Sequence, residues 1–277
     1  MKSSTEQRVE DHYRQAGLLQ AVLDRAEQQA SAGGLPAQPL TAESLAVADE
    51  FHTGGAKATD DLLDRLSLSA ASRVLDAGCG IGGTARRVAR RFGCQVTGID
   101  LTADYICVAR QLTDRLHLQP LCTFHTGSVL DLPFAAASFD VCLSLHVAMN
   151  IRHRAAFYDQ INRVLAADGT FASYDIVCSG TTDELRFPLP WSETSDTSFL
   201  YSVEQTERLL VEAGFEMVLS AGRSFPAPPA PTAAGTDTPR RANVLLGDRA
   251  REKVANHRLA LQSGLIAAHT FVARKVV

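Results

Sequence analysis

What this chain has little of narrows its possible roles first. No apolar run reaches the ~18 residues that a membrane span requires, so no membrane partner is expected. Basic charge is not in excess: 27 Lys and Arg face 31 Asp and Glu, a formal net charge of −4. Binding a nucleic-acid backbone usually leaves a basic surface stripe, so no nucleic-acid partner is expected either. The six cysteines, at 79, 94, 107, 122, 142 and 178, never approach CxxC spacing. They read as reduced core residues of a cytosolic protein rather than a disulfide or zinc framework. The eight histidines show no ligand spacing such as HExxH, which predicts no bound metal. The opening residues MKSSTEQRVEDHY lack the apolar centre of a signal peptide, giving the cytoplasm as the expected location.

What is present suits a globular chain of 277 residues with 45% apolar residues, long enough for one large domain carrying a cap. Val9, Tyr13, Ala16, Leu19, Leu23 and Ala26 recur at helical spacing, which predicts one amphipathic helix ending near Gly33-Gly34. A second helical region carries Leu62, Leu63 and Leu66. Residues 1–69 are therefore expected to form an N-terminal helical cap on a domain spanning 70–277.

From Arg73 onward, short β-branched runs alternate with helical segments, as in parallel βαβ units. The pattern predicts strands at 73–76, 95–100, 122–126, 140–145, 170–177, 215–220 and 270–274. It predicts helices near 82–92, 103–115, 153–166, from Ser202 to Gly214, and over 248–262. Right-handed crossovers then give an α/β fold with a doubly wound, Rossmann-like, seven-stranded sheet, mostly parallel with its last strand antiparallel. Arg86, Arg87, Arg90 and Arg91 read as a solvated helix face. Residues 178–201 read as a substrate-covering loop, and the proline-bearing 225–241 as an exposed, mobile segment. Nothing in the sequence decides between a monomer and a homo-oligomer.

The chemistry concentrates at Asp76-Ala77-Gly78-Cys79-Gly80-Ile81-Gly82-Gly83, where a strand ending in a carboxylate meets a glycine turn opening a helix. Such junctions hold nucleotide-like cofactors. Gly78, Gly80 and Gly83 also satisfy G-x-G-x-x-G, so a nicotinamide oxidoreductase competes with other readings. A pyrophosphate on the helix N-terminus would be repelled by Asp76, whereas a cofactor carrying an ammonium and a sulfonium would be attracted. Asp76 thus favours S-adenosylmethionine over NAD. Asp100, ending VTGID, is placed to accept from ribose hydroxyls.

With these residues in hand, the chain resembles the class I S-adenosylmethionine-dependent methyltransferases. The resemblance lies in VLDAGCGIGGTAR, VTGIDLT, LPFAAASFDVCLSLHV and RVLAADGTFASYDIV. DEFHTGGAKATDDLL, HVAMNI and FPLPW are similar, more narrowly, to the sarcosine and dimethylglycine N-methyltransferase-like branch, close to the UbiE-type enzymes. The resemblance implies that Asp76, Gly78, Gly80 and Gly82 surround the methionine moiety. It also implies that Asp100 and Leu101 contact ribose and adenine, and that Ser128 and Val129 lie against the adenine. The family commonly has Asp where this chain has Ser128, and a serine accepts a hydrogen bond more weakly.

The implied activity is methyl transfer to a small-molecule acceptor, most readily an amine nitrogen, by in-line displacement. Oxygen or carbon acceptors and a non-catalytic cofactor-binding protein are the alternatives. Methyl transfer is mainly a matter of positioning, but an amine must be neutral to attack, so a base is expected nearby. His146, past the fourth strand, is the first candidate for a catalytic role, followed by His52 in FHTGGAKAT; Asp175, at the end of the fifth strand, would orient a cationic acceptor or cap the following loop. Trp191, Phe199 and Tyr201 are candidates for an aromatic wall around an alkylammonium, or else pack under the loop, and Tyr174 is a substrate candidate on the ligand-binding rim at the end of the fifth strand. Arg186 is a candidate for binding a substrate carboxylate.

Overall fold

The computed structural model describes residues 2–14, 16–31, 41, 44–45, 49–50, 52–223, 246–247 and 249–276. The segment expected to be mobile, 225–241, lies outside the described residues. At the start of the chain, Ser3 Oγ accepts from the Glu6 amide at 3.2 Å while the Glu6 carboxylate accepts from the Ser3 amide at 2.7 Å. This reciprocal capping box opens helix α1 (Ser4–Tyr13). The single N-terminal helix predicted by periodicity is in fact two. Gly17 has φ 71°, outside the helical region, and α2 (Leu18–Ser31) begins after it.

Seven strands form one sheet: β1 (Arg73–Ala77), β2 (Gln95–Asp100), β3 (Cys122–Thr126), β4 (Phe139–Leu145), β5 (Leu165–Cys178), β6 (Phe215–Arg223) and β7 (Ile266–Lys275). Their order is β3-β2-β1-β4-β5-β7-β6. β7 lies antiparallel between β5 and β6, and the other pairings are parallel. The fifth strand begins earlier than predicted because Leu165 pairs with Phe139; the register then shifts before Thr170, where Asp168 takes φ 59°, a left-handed conformation that aspartate tolerates. Helices α3 (Gly55–Leu63), α4 (Gly83–Phe92), α5 (Ala103–Arg115), α6 (Arg154–Val164), α7 (Val203–Glu212) and α8 (Ala250–Gln262) cover the sheet.

Each face of the sheet buries its own apolar layer. One joins Leu62, Leu63, Val88, Val96, Leu143 and Trp191; the other joins Leu75, Ile99, Phe157, Ile161, Phe171 and Phe271. Full burial of each such side chain contributes roughly 1.5–3 kcal/mol before entropy is counted. Cys79, Cys94, Cys122 and Cys142 are buried in these layers, Cys178 is buried outside them and Cys107 is exposed. α3 belongs to the first layer, so within the 1–69 region it is α1 and α2 that lie outside the main core. Leu18, Val22 and Leu45 pack with Ile81, Tyr105 and Leu112, fixing α2 beside the glycine turn.

Arg86 departs from the solvated helix face expected for it, being only 1% exposed. Its guanidinium donates to Ala109 O and Thr113 Oγ1 at 3.1 Å, Ile81 O at 2.7 Å and Asp49 Oδ1 at 2.8 Å. These partners make its burial tolerable. Arg87 pairs with Glu50 and Asp60, and Arg91 with Asp64. The sheet order reverses direction between β1 and β4, which opens a crevice at their carboxyl ends.

Candidate active site

The crevice deepens into a cavity of about 970 Å³ running from Asp76 and Asp100 to Trp191 and His257. That is the upper end of the ~300–1,000 Å³ typical of ligand sites and leaves room for two small molecules. At one end the glycine turn is tied to β2: Gly78 N and Cys79 N donate to Ile99 O at 2.8 and 3.0 Å. Asp100 Oδ2 accepts from Gly80 N at 2.9 Å while its Oδ1 accepts from Thr102 N at 2.9 Å. The same carboxylate therefore holds the turn and opens α5. Gly78 has φ 83°, and a Cβ there would come 2.3 Å from Val147 Cγ2, so only glycine fits.

Asp76 is 2% exposed and lines the cavity, and its Oδ2 has no hydrogen-bond partner among the described residues. Burial, reinforced by the nearby Asp100 charge, pushes its pKa up to about 7. Burial likewise raises Asp100. An orphaned carboxylate oxygen beside a second carboxylate suits a ligand bearing positive charge and N–H donors, and disfavours a pyrophosphate. The residues present thus fit S-adenosylmethionine. Gly80, Leu101, Ser128 and Val129 continue the wall, whereas Gly82 stands just behind it as the left-handed residue before α4. Ser128 Oγ donates to the Glu6 carboxylate and accepts from Leu130 N at 3.0 Å.

At the other end, His146 leaves β4 with φ 54°, an uncommon conformation for a residue other than glycine. Its amide donates to Tyr174 O at 2.8 Å. The next two amides, Val147 and Ala148, donate to Asp175 Oδ1 at 2.9 and 3.1 Å. Asp175 is a candidate either for orienting a cationic acceptor or for capping the loop after β5. It is instead buried off the cavity wall, holding the turn that presents His146, with its pKa pushed up to about 7 by burial.

The rings of His52 and His146 lie 5.5 Å apart. Tyr174, 1% exposed, backs both at 5.9 and 5.4 Å. Burial, then the neighbouring His52 and His257, hold His146 well below the usual imidazole range, so it is neutral. Its Nε2 has no hydrogen-bond partner among the described residues. His52 Nε2 lies 3.0 Å from Thr59 Oγ1, and that hydroxyl donates to Glu50. Burial raises the Glu50 pKa, but hydrogen bonds from His52 and Thr59 and the Arg87 charge outweigh it and keep Glu50 ionised.

Of the loop candidates, Trp191 reaches the cavity. Its ring meets His257 edge-on at 5.7 Å and its Nε1 donates to Ser198 Oγ at 3.0 Å. Burial lowers His257 to about 4. Phe199, Tyr201 and Arg186 do not line the cavity. Arg152 lies over Phe199 at 5.6 Å and Arg154 over Tyr201 at 4.6 Å, drawing both rings to the start of α6, and Arg186 is exposed. Sequence reasoning missed Asn150, whose amide donates to Trp191 O at 2.8 Å and Thr197 O at 2.9 Å while its Oδ1 accepts from Tyr13 at 2.9 Å. It also missed Glu6, Glu50 and His257. For Glu6 the Ser-x-x-Glu capping signal was present but says nothing of Ser128. Among the described residues no group of three or more His, Cys, Asp or Glu could hold a metal, and no helix is long and apolar enough to cross a membrane.

Residues 75–173 match the family model described as a methyltransferase domain. Methyltransferase GfsG of Streptomyces halstedii is 28% identical over 172 residues, covering 61% of this chain and 62% of that protein. Ajmaline N-methyltransferase of Rauvolfia serpentina is 33% identical over 97 residues, covering 35% of this chain and 33% of that protein. The chain thus spans less than two thirds of the length of either curated relative. Among solved structures, geranyl diphosphate C-methyltransferase from Streptomyces coelicolor A3(2), in complex with Mg2+, geranyl diphosphate and S-adenosyl-L-homocysteine, shares the fold. Its TM-score is 0.72 at 16% identity, over 99% of this chain and 98% of that one.

Proposed function

We infer that this chain, whose residues 75–173 form a methyltransferase domain of the class I S-adenosylmethionine-dependent kind, moves a methyl group to the amine nitrogen of a small molecule. The observation that carries this reading is one cavity with an acidic end at Asp76 and Asp100 and a paired-imidazole end at His52 and His146. When bound, S-adenosylmethionine supplies a methyl group on a sulfonium, already activated toward attack.

The protein's contribution is placement and proton handling. Asp76 favours the cationic end of the cofactor. Trp191 and Tyr13 line the cavity and give it apolar walls. An amine entering beside the neutral His146 imidazole gives up its water, which disfavours its ammonium form. His52 takes the departing proton, and Glu50, linked through Thr59, stabilises the imidazolium. The similarity to ajmaline N-methyltransferase supports nitrogen as the acceptor.

A hydroxyl oxygen is the second reading. Arg152 and Arg258 line the cavity and make no ion pair among the described residues, which suits an acceptor carrying negative charge. The two readings separate in a turnover screen of secondary amines against phenols and hydroxy acids, following release of S-adenosylhomocysteine. Amines turning over, with activity falling about 100-fold in His52→Ala, supports the nitrogen assignment. Turnover confined to hydroxyl compounds overturns it.

A further inference from the structure

At the Asp100 end the cavity wall includes Glu6, a residue from the first helix and not from the sheet. Along the sheet edge the strands run β1, β2, β3, with Ala77 paired to Ile99 and Asp100 to Thr126. A nucleoside cofactor with its charged end at Asp76 and its ribose on Asp100 must therefore place its base over the segment following β3. That segment presents Ser128, whose hydroxyl proton is already committed to Glu6. The wall contains Glu6, Leu101, Ser128 and Val129 together.

We propose that the Glu6 carboxylate, carried by α1 and oriented by Ser128 and Ser3, accepts a hydrogen bond from the exocyclic amino group of the cofactor's adenine and so selects that base. The proposal rests on the S-adenosylmethionine reading of the cavity. Burial raises the Glu6 pKa, but hydrogen bonds from Ser128 and Ser3, with the Lys2 charge, outweigh it and keep Glu6 ionised. An ionised carboxylate has no proton to offer, so it accepts from an amino group and repels a carbonyl oxygen in the same place. Each Glu6 oxygen receives one hydrogen bond from the protein, leaving lone pairs for a ligand. The helix is fixed over this end by Lys2, which donates to Leu101 O at 3.0 Å, and by Tyr13, which donates to Asn150 and packs against Tyr105 at 6.0 Å. Sequence comparison alone would take Ser128 as a weakened base contact. The structure supplies the missing carboxylate from a different element.

Calorimetric titration with two ligands tests this: S-adenosylhomocysteine, and S-inosylhomocysteine, in which a carbonyl replaces the amino group. The wild-type protein should prefer the adenine form by about 10- to 100-fold, the range supported by a hydrogen bond to a charged group. In Glu6→Ala the preference should collapse toward one. In Glu6→Gln, whose amide can also donate, it should shrink or reverse. Loss of helix α1 alone would weaken both ligands together, leaving the ratio intact, and that outcome overturns the proposal. A wild-type preference retained in Glu6→Ala overturns it equally. If neither ligand binds the wild-type protein, the failure lies in the cofactor reading itself.

Discussion

Asp76 is asked to be two things, a buried group without a full set of partners and the attractor of a cation. Its raised pKa makes that dual role measurable. A cationic ligand favours the ionised carboxylate, so affinity is full above about pH 7 and falls as protons occupy Asp76 below it. The slope should approach tenfold per pH unit for one linked proton. Titrating S-adenosylmethionine, which carries the sulfonium, from pH 8 to 5.5 reads this directly, and Asp76→Asn should flatten the curve. A slope that survives in Asp76→Asn assigns the proton elsewhere. Asp100→Ala should weaken binding by about 100-fold or more, because charge-assisted hydrogen bonds to the ribose are lost, while far-ultraviolet circular dichroism stays native. Unchanged affinity would move the ribose away from β2. Both aspartates were legible in the sequence as strand-end carboxylates, and both line the cavity, Asp100 also capping the next helix through Thr102. Asp175 and Arg86 were not: what decides their roles is a partner distant in sequence, Val147 and Ala148 for one and Asp49 for the other.

Turns and loops carry the next level of the account. The tight junction of the glycine turn with the turn after β4 predicts that Gly78→Ala costs about 1–3 kcal/mol, since its Cβ would meet Val147 at a left-handed backbone position. Urea unfolding measures that, and an unchanged midpoint would show that the turn after β4 yields. Asn150 joins three elements that are separate in sequence: α1, the turn after β4 and the 178–201 loop. Asn150→Ala should destabilise the protein by on the order of 2–3 kcal/mol, because two buried carbonyls lose their donor. Proteolysis within 178–201 should accelerate with it, and a cleavage rate equal to wild type would detach the loop from Asn150. β1 to β4 were legible to within a residue from β-branched runs and flanking turns, whereas β5, β6 and β7 each run three to five residues past a predicted end. The N-terminal helix was misread because apolar spacing continued through Gly17, whose backbone conformation periodicity does not sense. Phe199 and Tyr201 were misassigned because composition reports aromatic rings but not the arginines that claim them.

For the whole molecule, the sheet, the α1–α2 layer and the 178–201 loop meet at one cavity, so a ligand filling it should stabilise the entire fold. S-adenosylhomocysteine at 100 times its Kd should add about 2.7 kcal/mol to unfolding and raise the melting temperature by roughly 5–10 °C. NADH at the same concentration should leave it unchanged, and the reverse ranking would restore the dinucleotide reading of the glycine turn. The measurement that bears most directly on the central claim is turnover with S-adenosylmethionine carrying an isotopically labelled methyl group. The protein is incubated with that donor and a fractionated small-molecule extract, and the products are read by mass spectrometry. The account predicts a labelled small molecule formed in proportion to S-adenosylhomocysteine, with both lost together in Asp100→Ala. Tight binding of the donor with no labelled product from any fraction would contradict it.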